Sequence, residues 1–330
     1  MSDAVCLVET TRGPFLESRH FGHAVIARAD GEIVAAWGNP QKLVLPRSSH
    51  KMLQALPLVE SGAAQGLTSE HLALACASHS AEEIHVSRVS KWLHDLGYGE
   101  HSLCCGPTPS LDPERRHQMI RDGEAHTRLH SDCSGKHAGF LTLTRHLGAE
   151  ERYVDPTHPV QLAVRRAIEE MAGEESLGFG IDGCSAPNFA LSLEGMARAM
   201  AKFATMGKGG SARDAACTAL RDAMMRHPEL VSGTRRSCND LMRAAKGKAA
   251  VKSGAEGFYV AILPEAQLGI ALKIEDGAMR ASAAAMAALL VRTGAIDADA
   301  AGLEAYLNGP IRSFNDELVG TIRPASTLLS

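Results

Sequence analysis

The chain has few aromatic residues, 4% of 330, and no excess of basic charge. Lys and Arg number 34 against 38 Asp and Glu, a net charge of −4. Without a basic surface or stacking aromatics there is no case for a nucleic-acid partner. Long apolar runs are also missing. The longest, around Ala281–Val291, is too short and too alanine-rich to span a bilayer, so no membrane partner is expected. The opening Met1-Ser2-Asp3-Ala4-Val5-Cys6 lacks the basic region and apolar run of a secretory leader. Eight cysteines in that context read as reduced thiols of a cytoplasmic protein, and none forms a CxxC. No GxGxxG follows a strand, and HExxH and GxSxG are absent. Ser134-Gly135-Lys136-His137 resembles the end of a phosphate loop, but His130 stands where its first glycine belongs. What is present is an ordinary globular balance, 45% hydrophobic and 22% charged, which excludes general disorder and allows a sizeable core.

Hydrophobic periodicity changes twice along the chain. Residues 4–38 read as strands, with Ala29-Asp30-Gly31-Glu32 as a hairpin turn between Val25-Ile26 and Ile33-Val34. From about 48 to 230 the pattern is helical. Ile84, Val89, Trp92, Leu93 and Leu96 share one face, as do Val160, Val164, Ile168 and Met171. Leu193, Met196, Met200 and Phe203 form a third stripe, and Ser211 opens a fourth helix. Gly207-Lys208-Gly209-Gly210 reads as an exposed turn. Phe258–Leu263 and Leu268–Ile274 then read as strands, and Ala281–Arg292 as a helix; the segment after Gly294 receives no assignment. The expectation is an α/β (α+β) fold in a single domain over 1–330. Its antiparallel sheet comes from both chain ends, about 1–47 and 250–330, and its large helical insert covers about 48–249.

Chemistry-bearing residues cluster in short motifs. Ser48 and Lys51 form a Ser-x-x-Lys, one helical turn apart. A serine hydroxyl becomes a nucleophile when a base takes its proton, and a lysine serves as that base when burial or a neighbouring cation lowers its pKa. The plainer reading makes Ser48 a helix N-cap and Lys51 a solvated side chain. Lys252-Ser253-Gly254 precedes a strand, and Ser131-Asp132-Cys133 lies between the two, the order found in penicillin-recognising enzymes but with Cys in place of Asn. In Cys76-Ala77-Ser78-His79-Ser80-Ala81-Glu82-Glu83, Ser80 with Glu83 reads as a capping box for the helix at Ile84.

Six motifs in order carry a resemblance to the rhizobial-type (class 3, asparaginase II) L-asparaginases. They are Leu45–Lys51, Cys76–Ser80, Cys133–His137, Asp182-Gly183-Cys184 with Pro187, Arg226–Glu229 and Lys252–Gly257. The resemblance implies a fold like serine β-lactamases and glutaminases, a homodimer, and hydrolysis of L-asparagine to L-aspartate and ammonia. It implies two Ser-Lys tandems, Ser48 with Lys51 and Ser80 with Lys252. Which serine attacks stays open, and the preferred reading is Ser48 activated by Lys51, with Ser80 and Lys252 relaying protons or tuning that pair. It also implies zinc beside the site on Cys133, Lys136 and Cys184, a set in which two thiolates suit the metal. Motif neighbourhood adds Asp182 for the substrate ammonium, and Arg47, His50 and His137 for its carboxylate or amide. Three alternatives stay open: a penicillin-recognising Ser-Lys hydrolase, a non-catalytic zinc protein, and an amidase using Cys133 with His137.

Overall fold

A computed structural model describes residues 3–207 and 209–329. Lys208, within the expected Gly207–Gly210 turn, lies outside them, as do Met1, Ser2 and Ser330. The chain opens with strands β1 (Val5–Arg12), β2 (Phe15–Ala27), β3 (Ile33–Trp37) and β4 (Leu43–Val44). Helices α1 (Lys51–Glu60), α2 (Ser69–Ala75), α3 (Glu83–Asp95), α4 (Pro113–Asp122), α5 (Ser134–His146) and α6 (Pro159–Ala172) follow. Short strands β5 (Phe179–Ile181), β6 (Pro187–Phe189) and β7 (Leu191–Ser192) lead to α7 (Leu193–Thr205), α8 (Ala212–Arg226), α9 (Pro228–Ser232) and α10 (Ser237–Ala245). The tail returns to strands β8 (Ala250–Ser253), β9 (Phe258–Leu263) and β10 (Leu268–Ile274), helix α11 (Met279–Arg292), and strands β11 (Gly309–Arg312) and β12 (Leu318–Pro324).

These elements form two compact units. The first comprises residues 1–49, 191–205 and 240–330. Its antiparallel sheet runs β11-β12-β1-β2-β10-β9-β8, so both chain ends build it, as the alternating segments predict. β1 pairs with β12 on one side, Val8 opposite Pro324, and with β2 on the other. The later half of β2 pairs with β10 and, across the expected hairpin, with β3. In that turn Asp30 accepts from the Glu32 amide at 3.0 Å and Glu32 O accepts from the Arg28 amide at 2.9 Å. Every residue of β9 is buried, which for alternating side chains means that both faces are covered there. Helix α7 packs on β2, β9 and β10, and α11 on β1, β9, β10 and β12. The unassigned segment after Gly294 supplies β11 and β12, which continue the sheet beyond β1.

The second unit comprises residues 50–190 and 206–239. Its centre is α1, buried from Lys51 through Leu58 and packed on α5, α6 and α8. A helix this apolar all round belongs in a core. Helix α8 opens at Ser211, whose side chain accepts from the Asp214 amide as the sequence predicts. The start of α3 differs from expectation. Its N-cap is Glu82, not Ser80, and His85 Nδ1 accepts from the Glu82 amide at 3.1 Å. Among the described residues no helix is long and apolar enough to cross a membrane.

Candidate active site

Ser48 stands on a 3₁₀ turn, Arg47–His50, that runs directly into α1. The position before that helix is His50, so Ser48 does not act as its N-cap. Arg47 holds a left-handed φ of 54°, a conformation that costs a residue with a β-carbon about 1 kcal/mol or more. What fixes the turn is the neighbouring Ser49. Its hydroxyl donates to the Lys252 carbonyl at 3.1 Å and reaches that of Phe258 at 3.4 Å. Gly254 permits this approach, because a β-carbon there would lie 2.6 Å from Pro46 O and 2.7 Å from Ser49 Oγ. The turn bearing Ser48 is thereby fastened to the strand bearing Lys252. Lys252 is fully buried on β8, and its Nζ donates to the Ser253 carbonyl at 2.6 Å.

In the helical unit Lys51 is 1% exposed. Its Nζ donates to the Ala77 carbonyl at 2.6 Å, to Ser78 Oγ at 2.8 Å and to Cys133 Sγ at 3.0 Å, with an Asp132 oxygen at 4.0 Å. Ser78, which the sequence reading passed over, is thus a hydroxyl on this amine. Ser80 is 1% exposed and donates to Glu82 Oε1 at 2.6 Å. Left-handed backbone recurs beside the candidates: Ala81 (φ 56°) follows Ser80, and Ser185 (φ 69°) follows Cys184. Strain of this kind collects where a fold holds a particular geometry.

The two thiols share one negative charge. A hydrogen bond from Cys133 and the Lys136 ammonium 2.9 Å away pull Cys184 well below the ordinary thiol range. The same bond and burial push Cys133 well above it. Burial works against the charge of Lys136, but the two cysteines outweigh it and raise the lysine, with Asp182 contributing. Asp182 itself sits in the turn after β5, where its carboxylate accepts from the Gly183 amide at 2.7 Å. His137 is fully buried, and its Nδ1 shares a hydrogen bond with the Tyr153 hydroxyl at 2.9 Å, an oxygen that also accepts from the Cys104 amide. Cys184 acts on the same ring, raising its pKa against the larger lowering by burial. His50 is buried as well.

Cys133, Cys184 and Lys136 therefore converge as two sulfurs and an amine. Among the described residues no three or more His, Cys, Asp or Glu side chains are grouped to hold a metal ion. The third donor of this set is the lysine nitrogen. Two soft thiols already within hydrogen-bond distance of each other, with an amine at one of them, fit a zinc-preferring cation. Taking one up would displace the protons that Lys136 and Cys133 now carry.

Buried imidazoles surround this region. His79 Nδ1 accepts from the Ala81 amide at 3.2 Å, so its Nε2 donates to Ser134 Oγ at 2.8 Å, and the Ser134 hydroxyl donates in turn to Leu129 O at 3.0 Å. Burial holds His79, His85, His130 and His137 below the ordinary imidazole value. In the unfolded chain they protonate near pH 6.5, so that state binds more protons. Stability is therefore expected to fall as pH drops below about 6.5. Urea midpoints at pH 7.5, 6.5 and 5.5 check this, and a flat profile would refute it.

The L-asparaginase II family profile matches residues 8–324. No curated protein matches the sequence. Solved structures that the chain resembles include a β-lactamase from Mycobacterium bovis, at 12% identity over 82% of this chain and 94% of that one, with a TM-score of 0.46. They include Mglu in its native form, at 14% identity over 88% of this chain and 69% of that one, TM-score 0.46. The octameric penicillin-binding protein homologue from Pyrococcus abyssi is 14% identical over 82% and 73%, TM-score 0.34. Through a family match that spans almost its whole length, the chain belongs to the L-asparaginase II family and is an asparaginase-like hydrolase.

Proposed function

We propose that this chain hydrolyses L-asparagine to L-aspartate and ammonia as a single-domain cytoplasmic homodimer. The observation that carries the reading is Lys51, a lysine enclosed in the protein with its amine on a serine hydroxyl, a carbonyl and a thiol. In this reading Lys51 acts as the neutral amine, keeping two of its three donated bonds. As Ser48 Oγ attacks the side-chain amide carbon, its proton passes to the Lys51 Nζ lone pair. The C–N bond breaks as that proton moves to the leaving nitrogen, and ammonia departs. Water then attacks the aspartyl ester, giving one of its own protons to Lys51 Nζ, which passes it to Ser48 as L-aspartate is released. Ser80 and Lys252 relay protons around that pair. Ser48 is preferred as nucleophile because it is only partly buried, whereas Ser78 is 6% and Ser80 1% exposed. A substrate must reach the attacking oxygen.

Asp182 is assigned to the substrate ammonium, and Arg47, His50 and His137 to its carboxylate or amide. Cys133, Lys136 and Cys184 would hold zinc, which when bound supplies a fixed positive charge beside the site. Selectivity against glutamine rests on one methylene, which an apolar contact separates by about 10- to 200-fold at most.

The test is ammonia release from L-asparagine and L-glutamine, with nitrocefin in parallel and bound metal measured on the same preparation. The expected outcome is turnover of asparagine well above glutamine, no nitrocefin cleavage, and zinc that is lost in Cys184→Ser. Nitrocefin cleavage without amide turnover would move the chain to the penicillin-recognising hydrolases. Silence on all three substrates at every zinc level would leave it without this activity.

A further inference from the structure

We infer that Glu82 is a positioning residue for Ser80, holding the serine hydroxyl in one orientation for the reaction. The inference rests on the reading above, in which Ser80 takes part in turnover. Glu82 stands at the N-cap of α3. Shorter Asp, Asn, Ser and Thr are the residues that best serve this position. The longer glutamate reaches further. Its Oε1 accepts from Ser80 Oγ at 2.6 Å and from the Thr234 amide at 2.9 Å, and its Oε2 accepts from Thr234 Oγ at 2.8 Å. The left-handed Ala81 between the two residues folds the carboxylate back onto the hydroxyl two positions earlier.

The surroundings keep this arrangement closed. Gly233 has a φ of 122°, and a β-carbon there would fall inside contact distance of Ser80 Oγ and lie 2.7 Å from Glu82 Oε1. No larger residue fits against the pair. The Ser80 backbone is held from the other side by the Ser110 hydroxyl, which donates to its carbonyl. Burial raises the Glu82 carboxyl, but the bonds from Ser80 and Thr234 outweigh it and keep the group below its ordinary value. The carboxylate is thus charged at neutral pH. With its proton committed to a carboxylate, the Ser80 oxygen presents its lone pairs elsewhere, as a relay that receives a proton must.

The experiment compares wild type, Glu82→Asp, Glu82→Gln, Ser80→Ala and the double variant Ser80→Ala/Glu82→Asp for L-asparagine kinetics and melting temperature. Aspartate keeps the cap but withdraws the carboxylate by one methylene. Glu82→Asp is expected to melt like wild type, with kcat down about 10- to 100-fold and KM little changed. Glu82→Gln, which keeps the reach, is expected to recover part of the loss. In the Ser80→Ala background the Asp change is expected to cost nothing further. Should Glu82→Asp fold poorly, Thr234→Val loosens the same carboxylate from its far side and is expected to lower kcat about 3- to 10-fold. Wild-type kcat in Glu82→Asp beside an impaired Ser80→Ala overturns the inference and leaves the function standing. Additive losses in the double variant overturn it equally. No ammonia from the wild type, or an unimpaired Ser80→Ala, overturns the functional reading and this inference with it.

Discussion

Ser48→Ala is expected to lower kcat for L-asparagine about 10⁴-fold or more while the protein still folds and melts like wild type. The contrast follows from how the turn is held. Its fixed points are the Ser49 hydroxyl on the Lys252 and Phe258 carbonyls and the close fit at Gly254, none of which involves the Ser48 side chain. Alanine removes the oxygen and leaves these contacts in place. Ser80→Ala and Ser78→Ala provide the comparison. Ser80→Ala is expected to cost about 10²-fold, the size of a proton-transfer effect. Ser78→Ala removes one of the acceptors of Lys51 but leaves Ala77 O and Cys133. Rates for the three variants, with ammonia as readout, rank the hydroxyls. If Ser78→Ala proves the most damaging, the nucleophile is the serine already on Lys51, and Ser48 loses its role.

Gly254→Ala is the second large effect. The added methyl would sit 2.6 Å from a backbone carbonyl, Pro46 O, which cannot swing aside as the end of a long side chain can. Overpacking of this kind costs about 1–3 kcal/mol. The turn has to lift from β8, carrying Ser48 with it, and a displacement of about 1 Å is worth about 10²-fold in rate. A lowered melting temperature together with a kcat about 100-fold down is the expected pair of results. An alanine variant that melts and turns over like wild type would show that the turn does not depend on the strand. Glycine in Lys252-Ser253-Gly254 is thus explained by the turn that lies on it, a reason the motif itself does not contain.

That example marks the boundary of what the residues reveal before folding. The stripes of α3, α6 and α7 were located because each buries one face in a local repeat, the hairpin by its Asp30-Gly31 turn, and β9 and β10 as short apolar runs buried on both faces. The sheet from both ends followed from the order of those segments. β11 and β12 escaped: β11 has four residues and carries Pro310, and the buried positions of β12 are Gly320 and Pro324, which give no strand signal. In the site, the conspicuous residue types were legible: serine, lysine and cysteine at recognisable spacings. Their partners were not. Ser78 meets Lys51 across 27 positions, and Glu82 meets Thr234 across 152. Nothing local distinguishes Ser78 from Ser80, or Glu82 from Glu83. The capping assignment shows the cost: the spacing of Ser80 and Glu83 suits a cap, yet the fold uses Glu82 and turns Ser80 toward it.

The pairing of Val8 with Pro324 has a consequence for biosynthesis. Strand β1 is made before the rest of the sheet, but one of its two neighbours, β12, follows it by 310 positions at the Thr11–Thr321 contact. Until then that edge has no partner, and unpaired strand edges recruit other chains. The helical segments can collapse early on local contacts, whereas closing the sheet requires contacts across nearly the whole length. Such topologies fold slowly and stay exposed to aggregation. Yield in a cell therefore depends on how long β1 can wait with one edge open.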